Sequence, residues 1–320
     1  MSQYTATKGR NIGLDVIKII AMIMVVGLHV QVGGGLEQSE LLRLQYGAEL
    51  CAIPLFFMVS GYLMQGKMPN YKYTWRKIFN ILKFVLIVIG VSSICTGIFE
   101  GHPRIHSLYL WFIQRGSYWQ FWYFGSMILI YLVAPWICRL MASKYARWGL
   151  IITGACCTIV FFLNHYIAFE RTYIIQTFRL WNWLFYFMAG AYIKQYGSPT
   201  RVPIWLVILM GLQCCLLVEY GPILGVEYYH CSVFSMAYAY CVFAYCIGRE
   251  WKETWFVKEM SGLFLPVYTF HPMLYRWVAN VQIAPPRCYI CIYYTIRDSP
   301  DTFCMFVFHF DEDTIRQKYL

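Results

Sequence analysis

Residues 14–30 read LDVIKIIAMIMVVGLHV, a run that is long enough and apolar enough to cross a bilayer. The run nevertheless carries three ionisable side chains, those of Asp15, Lys18 and His29. At about 100° of rotation per residue, the three fall on one stripe of an α-helix, with Lys18 and His29 about 16 Å apart along its axis. Ionisable groups are costly in lipid and usually mark function. We therefore predict that this stripe faces the interior of a helical bundle or a cavity.

The composition excludes an ordinary soluble domain. The chain has 320 residues, of which 59% are hydrophobic and 13% charged, whereas about a quarter of a typical soluble chain is charged. The net charge of +10 is of the kind that a multi-pass membrane protein acquires through its cytoplasmic loops, so no nucleic-acid partner is expected. Most cysteines lie inside apolar runs, where they act as small hydrophobic residues, and no metal site is predicted.

The apolar runs predict an all-α, polytopic membrane bundle of about nine or ten transmembrane helices, because long runs without period-2 alternation form helices and not a barrel. The chain then divides into an N-terminal tail at 1–12, a transmembrane domain at 13–283 and an atypical C-terminal tail at 284–320, whose short apolar pieces cannot span. The predicted spans are 13–32, 48–64, 78–99, 119–137, 149–163, 178–193, 203–218, 230–248 and 261–280.

The distribution of basic residues predicts the orientation in the membrane. When the predicted loops are numbered alternately, one set contains 14 lysines and arginines and the other contains four. The positive-inside rule then places the N-terminus in the cytoplasm. The larger set is Lys8, Arg10, Lys67, Lys72, Arg76, Lys77, Arg139, Lys144, Arg147, Lys194, Arg201, Arg249, Lys252 and Lys258, and the smaller is Arg43, Arg104, Arg115 and Arg171.

Four blocks of sequence, in order along the chain, resemble the membrane-bound acyltransferase-3 family. They are LDVIKIIAMIMVVGLH at 14–29, IPLFFMVSGYL at 53–63, WYFGSMILIYLVAP at 122–135 and SGLFLPVYTFHPML at 261–274. The resemblance implies an integral protein of the bacterial inner membrane that modifies O-antigens, exopolysaccharides or other carbohydrates. It implies transfer of an acyl group, usually acetyl, from cytoplasmic acyl-CoA to a hydroxyl of a glycan or lipid-linked sugar. Acetyl-CoA is then a co-substrate, and no permanently bound cofactor is expected.

The family is marked by an arginine and a histidine separated by ten residues. His29 matches the histidine, and Lys18 stands at the arginine position, which keeps the positive charge but loses the planar fork. A neutral imidazole is the usual base near neutral pH, so His29 is the predicted general base for the attacking hydroxyl. Lys18 is predicted to hold the donor, with Asp15 as its ion-pair partner at i, i+3. The alternative is a purely structural role, in which the three side chains form a polar seam that packs helices together.

Further candidate contacts to substrate or donor lie in the other blocks. Ser60, Gly61 and Tyr62 lie late in a predicted helix. Close helix packing at Ser60 and Gly61 is the alternative to substrate contact, and a nucleophilic Ser60 is a minor one. Trp122 and Tyr123 either anchor a helix at the external interface or stack on a sugar. His271 precedes a proline that frees a backbone carbonyl, and a purely structural histidine is equally compatible with its position.

The predicted function is that of a membrane O-acetyltransferase, with acyl-CoA, a carbohydrate acceptor and the lipid bilayer as partners. Two alternatives remain open. A transporter or exporter of a polysaccharide precursor would use the same buried charges as a substrate or proton pathway. A membrane sensor or binding domain would use the fold without chemistry. Direct transfer and a transient acyl-histidine both fit the sequence.

Overall fold

The computed structural model describes residues 10–32, 40–100, 107–116, 118–167, 174–198, 201–220 and 226–281, and the regular structure in these ranges is helical, without a β-strand. The predicted all-α fold is confirmed, and each of the nine predicted spans corresponds to one or two of the observed helices. These are α1 (Ile12–Val32), α2 (Glu40–Glu49), α3 (Ala52–Gln65), α4 (Tyr71–Glu100), α5 (Ser107–Leu110), α6 (Trp122–Met141), α7 (Ala146–Ile167), α8 (Leu180–Tyr196), α9 (Ile204–Tyr220), α10 (Val233–Ile247), α11 (Trp255–Gly262) and α12 (Phe264–Val281).

The helices are long and apolar enough for a multi-pass membrane protein, as predicted. Five stretches of the described chain satisfy the length and hydropathy of a membrane span, and α9 and α10 are shorter apolar helices. The second span differs from its prediction, because it joins α2 to α3 through a break at residues 50–51. The five stretches are Ile12–His29, Glu40–Gln65, Tyr71–Ile94, Trp119–Met141 and Ala146–Asn164. The predicted tail at 284–320 lies outside the described residues.

Helices α3 and α8 cross at the centre of the bundle with their backbones in direct contact. A Cβ atom added at Gly61 would lie 1.9 Å from the carbonyl oxygen of Phe187, and one added at Gly190 would lie 1.9 Å from that of Met58. Glycine at both positions permits this approach, as small residues do in other membrane helix pairs. The packing interpretation of the Ser60-Gly61 pair is therefore confirmed for the glycine.

Local signals set the helix ends. The hydroxyl of Ser232 accepts a hydrogen bond from the backbone N–H of Ser235 (3.1 Å), and that of Thr254 accepts one from Val257 (3.2 Å). Each hydroxyl satisfies a donor that the first turn of its helix leaves without a partner. At the C-terminal end of α8, Gly197 adopts a φ of +79°, which stops the helix.

The bundle has two distinct ends. The first, here called the basic end, contains the start of α1 and the C-terminal ends of α3, α6 and α8. At this end the Gln65 amide donates hydrogen bonds to the Cys138 carbonyl (3.2 Å) and to the side-chain oxygen of Gln195 (3.0 Å). The second, the histidine end, carries His29, Trp119 and His271. Loops of the basic-rich set meet at the basic end, as alternating spans require. Which side of the membrane that end faces remains a prediction.

Candidate active site

At the basic end of α1, a buried carboxylate joins two cations. Asp15 is 4% exposed and accepts hydrogen bonds from Lys18 Nζ (3.1 Å) and from Arg10 Nε. This confirms the predicted i, i+3 pairing of Asp15 with Lys18 and adds Arg10 as a second partner. Asp15 occupies only one of the three N–H bonds of the Lys18 ammonium group, and the Lys18 side chain is 28% exposed. This end of the stripe can therefore meet an anionic group.

Arg10 also ties the start of α1 to α11. Its guanidinium donates to the hydroxyl of Ser261 (2.8 Å) and lies 3.8 Å from the Glu253 carboxylate. The Asp15 carboxylate raises the pKa of Arg10, chiefly through their hydrogen bond, so the guanidinium stays charged. Arg10 thus fixes the carboxylate against which Lys18 is oriented.

Between Lys18 and His29, α1 faces a narrow apolar cleft that is too tight to hold a water molecule. Its lining comes from α1, α3 and α12, and consists of Met22, Val25, Phe56, Phe264, Val267 and Tyr268. The side of α1 that carries the predicted stripe is therefore inside the protein, whereas Ile23 on another side is 52% exposed. The prediction that the stripe does not face lipid is confirmed.

At the histidine end, two imidazoles from opposite ends of the sequence meet. The rings of His29 and His271 lie edge to face, with centroids 4.6 Å apart and planes at 73°. His271 is 3% exposed, and His29 is half-buried. The indole of Trp119 lies beside His29, with ring centroids 5.3 Å apart, and is itself only half-buried. The cluster thus joins a buried histidine to a more accessible one.

Backbone carbonyls fix the tautomer of both rings. His29 Nδ1 lies 2.8 Å from the Val25 carbonyl oxygen, and His271 Nδ1 lies 3.0 Å from that of Val267. Because a carbonyl oxygen only accepts, each neutral ring carries its hydrogen on Nδ1 and its lone pair on Nε2. A lone pair on Nε2 is what a general base needs.

The surroundings of His271 are rich in acceptors. Gln120 is 1% exposed and donates its amide N–H to the Thr269 carbonyl (3.2 Å), while the Tyr268 hydroxyl donates to the Gln120 carbonyl. Pro272 lacks the N–H that the Tyr268 carbonyl would otherwise receive in a helix, and this carbonyl also faces the His271 ring. Pro272 thus provides the free carbonyl that the sequence predicts.

The remaining predicted contacts lie apart from the two histidines. Ser60 Oγ lies 3.5 Å from the Tyr123 hydroxyl, so its neighbour is a phenol and not a base. Trp122 and Tyr123 are 5% and 7% exposed, so they lack the exposed ring surface that the interface-anchor alternative requires. Trp122 packs on Trp183 (5.1 Å), and Tyr123 packs on Tyr268 (5.6 Å). The first turn of α6, which carries both residues, lies inside the bundle. An aromatic pair in the sequence does not by itself indicate this.

Tyr62 lies at the basic end, where the Lys194 ammonium sits 5.0 Å from the centre of its ring. The structure therefore brings Tyr62 towards the Lys18 side of the bundle and leaves it away from His29. Direct contact of Ser60, Tyr62, Trp122 or Tyr123 with a substrate stays a prediction.

The sequence did not predict two neighbours of the stripe, Arg10 beside Asp15 and Trp119 beside His29. It also did not predict that the carboxylate of Glu49, in α2, packs against Gly27 on the other side of α1. Trp119 lies three residues before Trp122, where the third block begins, and this proximity was the available signal. Nothing in the sequence around Glu49 indicates that its side chain reaches α1, because the contact depends on how α2 packs on α1.

Comparison with known proteins gives the family. The sequence model of an acyltransferase domain, that of the acyltransferase-3 family, matches residues 11–296. The chain belongs to the acyltransferase-3 family. The match covers α1 to α12 and continues past residue 283 into the predicted C-terminal tail. This acyltransferase-3 chain is therefore a member of a family of membrane acyltransferases.

More distant comparisons add little. A curated protein of Enterococcus faecalis described as an amino-acid racemase is 22% identical over 308 residues, which are 86% of this acyltransferase-3 chain and 42% of the relative. The chain thus spans less than half the length of that relative. No solved structure matches the chain.

Proposed function

We propose that this protein is a membrane O-acyltransferase that moves an acyl group, acetyl in the simplest case, from cytoplasmic acyl-CoA to a hydroxyl of a cell-surface or lipid-linked carbohydrate. The single observation that supports this best is that α1 presents a cationic group and a tautomer-fixed imidazole on one buried face. Family membership supplies acyl transfer as the reaction type. The donor, the acceptor and the bacterial inner-membrane location are part of the proposal.

In this account His29 is the general base. The bond from its Nδ1 to the Val25 carbonyl (2.8 Å) keeps the lone pair on Nε2. An alcohol has a pKa far above 7, so its proton must leave as the oxygen attacks the thioester carbonyl. The hydroxyl oxygen forms the new ester bond, the carbon–sulfur bond breaks, and the thiolate of CoA receives the proton from His29.

Lys18 holds the donor at the basic end. Asp15 uses one of the three N–H bonds of its ammonium group, and the others remain available for phosphate oxygens. With the N-terminus cytoplasmic, as the basic loops predict, this end faces the compartment that contains acyl-CoA. The rise of α1 separates Lys18 from His29 by about 16 Å, a gap that an extended acyl-carrying arm would cross.

The apolar cleft between the two residues suits such an arm. Met22 and Val25 of α1 face Phe56 and Phe264 there, and the cleft is closed. Met22 has an unbranched, flexible side chain, so its rotation opens the cleft at low cost. A cleft this tight also excludes water from the thioester of a bound donor.

The test uses the purified full chain in nanodiscs with radiolabelled acetyl-CoA and a glycan extract from the host. We expect label to move to the glycan with the wild type, to stop with His29→Ala, and to require more acetyl-CoA with Lys18→Met. If the wild type neither binds nor consumes any acyl-CoA, acyl transfer by this chain is refuted and the transporter alternative gains weight.

A further inference from the structure

The two imidazoles at the histidine end have matching hydrogen-bonding states. Both donate Nδ1–H to the carbonyl four residues earlier, Val25 for His29 and Val267 for His271. Both neutral rings therefore keep a lone pair on Nε2, and their centroids are 4.6 Å apart. Two neutral rings in this state cannot hydrogen-bond to each other through Nε2, because neither has a hydrogen there.

The Nε2 atom of His271 lacks a donor. It is buried and has no hydrogen-bond partner among the residues that the structure describes, and the same holds for Gln120 Oε1. The orientation of the Gln120 amide is set by the Thr269 carbonyl, which only its nitrogen can satisfy. The Tyr268 hydroxyl is also used, since it donates to the Gln120 carbonyl. A buried acceptor without a hydrogen bond costs free energy, and this cost is recovered when a donor reaches the acceptor during catalysis.

We propose that His271 is the proton partner of His29, an assignment that rests on the proposed function. When the acceptor hydroxyl attacks, its proton moves to His29 Nε2, which becomes a donor beside the unmet lone pair of His271. The imidazole pair then shares one proton while the oxygen–acyl bond forms and the acyl–sulfur bond breaks. The proton finally passes to the CoA thiolate, and both rings return to the neutral state. His271 acts through His29 and is a positioning residue.

Sharing limits the pair to one proton, because a second positive charge 4.6 Å away is strongly opposed. Among the described residues, the ionisable side chain in ring contact with the pair is the Tyr268 phenol, whose ring centroid lies 6.1 Å from that of His271. Tyr123 of α6 stands behind Tyr268, with ring centroids 5.6 Å apart. The Glu49 carboxyl packs on Gly27, which lies about 160° around α1 from His29, so Glu49→Gln serves as a control for the pH profile of the pair.

The alternative is that His271 only fills space beside His29, and two variants distinguish the roles. His271→Phe keeps a planar ring of similar size but removes both nitrogens, whereas His271→Gln keeps an acceptor near the position of Nε2. We expect His271→Phe to lower kcat for label transfer in nanodiscs about 100-fold, the lower range for general acid–base catalysis, with an unchanged KM for acetyl-CoA. His271→Gln should recover part of this loss. A kcat for His271→Phe equal to that of the wild type overturns the proposal.

A second measurement does not depend on turnover. Nitrogen-15 histidine spectra of the full chain, assigned with His29→Ala and His271→Phe, should show that the pair takes up one proton in a single step as the pH falls from about 8 to about 5. Independent, complete protonation of both rings overturns the proposal. A failure of the proposed function looks different: the wild type transfers no label, or His29→Ala transfers as much as the wild type, whatever the spectra show.

Discussion

Replacing Gly61 by alanine should loosen the central crossing of α3 and α8. The new Cβ would start 1.9 Å from the Phe187 carbonyl oxygen, and ordinary contact begins near 3.4 Å, so the backbones must separate by about 1.5 Å. Neither partner is the flexible end of a side chain, so the strain cannot relax by a rotamer change. Overpacking of this kind costs about 1–3 kcal/mol, and separation also removes dispersion contacts along both helices.

The opposing effect is smaller. Alanine is favoured over glycine inside a helix by about 1 kcal/mol, so the net change for Gly61→Ala is a loss of about 2 kcal/mol at the upper end of the overpacking range. Gly90→Ala in α4 is the matched control, because a Cβ there meets no atom within 4 Å. It should be as stable as the wild type or more so.

The assay is thermal unfolding in detergent, followed by a maleimide dye that reacts with cysteines as they become exposed. Cys51, Cys138 and Cys246 are buried and free, and they report on the bundle interior. Gly61→Ala should unfold at a clearly lower temperature than Gly90→Ala. Equal transition temperatures for the two variants would refute the close backbone crossing.

Three further predictions concern Lys18, the Arg43–Glu219 ion pair and Trp119. Lys18→Arg should keep a KM for acetyl-CoA close to that of the wild type. Lys18→Met should raise this KM about 10- to 100-fold, the effect of losing one charge-assisted hydrogen bond. Initial rates measured at increasing acetyl-CoA concentrations distinguish the two variants. Arg43 donates twice to the Glu219 carboxylate, at 2.9 Å each, so Arg43→Glu and Glu219→Arg should each lower the unfolding temperature and the double exchange should restore part of it. A double exchange no better than the singles would contradict this pairing. The half-buried Trp119 indole lies beside His29, where the proposed function requires the acceptor sugar to bind, and it can stack on that sugar. Trp119→Ala should therefore raise the KM for the glycan acceptor and leave the KM for acetyl-CoA unchanged; equal changes in both would exclude this acceptor contact.

Helical periodicity was enough to predict the inner face of α1. The bearings of Asp15, Lys18 and His29 depend only on the rise and rotation of a helix, and the structure has that face inside the bundle. The same local geometry gives the Asp15–Lys18 ion pair, since residues three apart are neighbours on a helix surface. The close helix approach at Gly61 was predictable for the same reason: a small residue in an apolar helix permits it.

What the sequence could not supply are contacts between distant helices. His271 reaches His29 across 242 positions, and Glu49 reaches Gly27 only because of how α2 packs on α1. At Trp122 and Tyr123 a general rule about sequence does not apply. Aromatic residues at a helix start are often interface anchors, but these two pack inside the bundle on Trp183 and Tyr268. Arg10 was counted only as a loop charge, and its bond to Asp15 depends on where the N-terminal turn of α1 lies.

The most direct test of the account compares wild type and His29→Ala in nanodiscs, measuring transfer of label from acetyl-CoA to glycan together with binding of CoA. We predict that the wild type transfers label and that His29→Ala binds CoA equally well but transfers at least about 100-fold more slowly, as loss of a general base requires. Transfer by His29→Ala at the wild-type rate would contradict the assignment of His29 as the base.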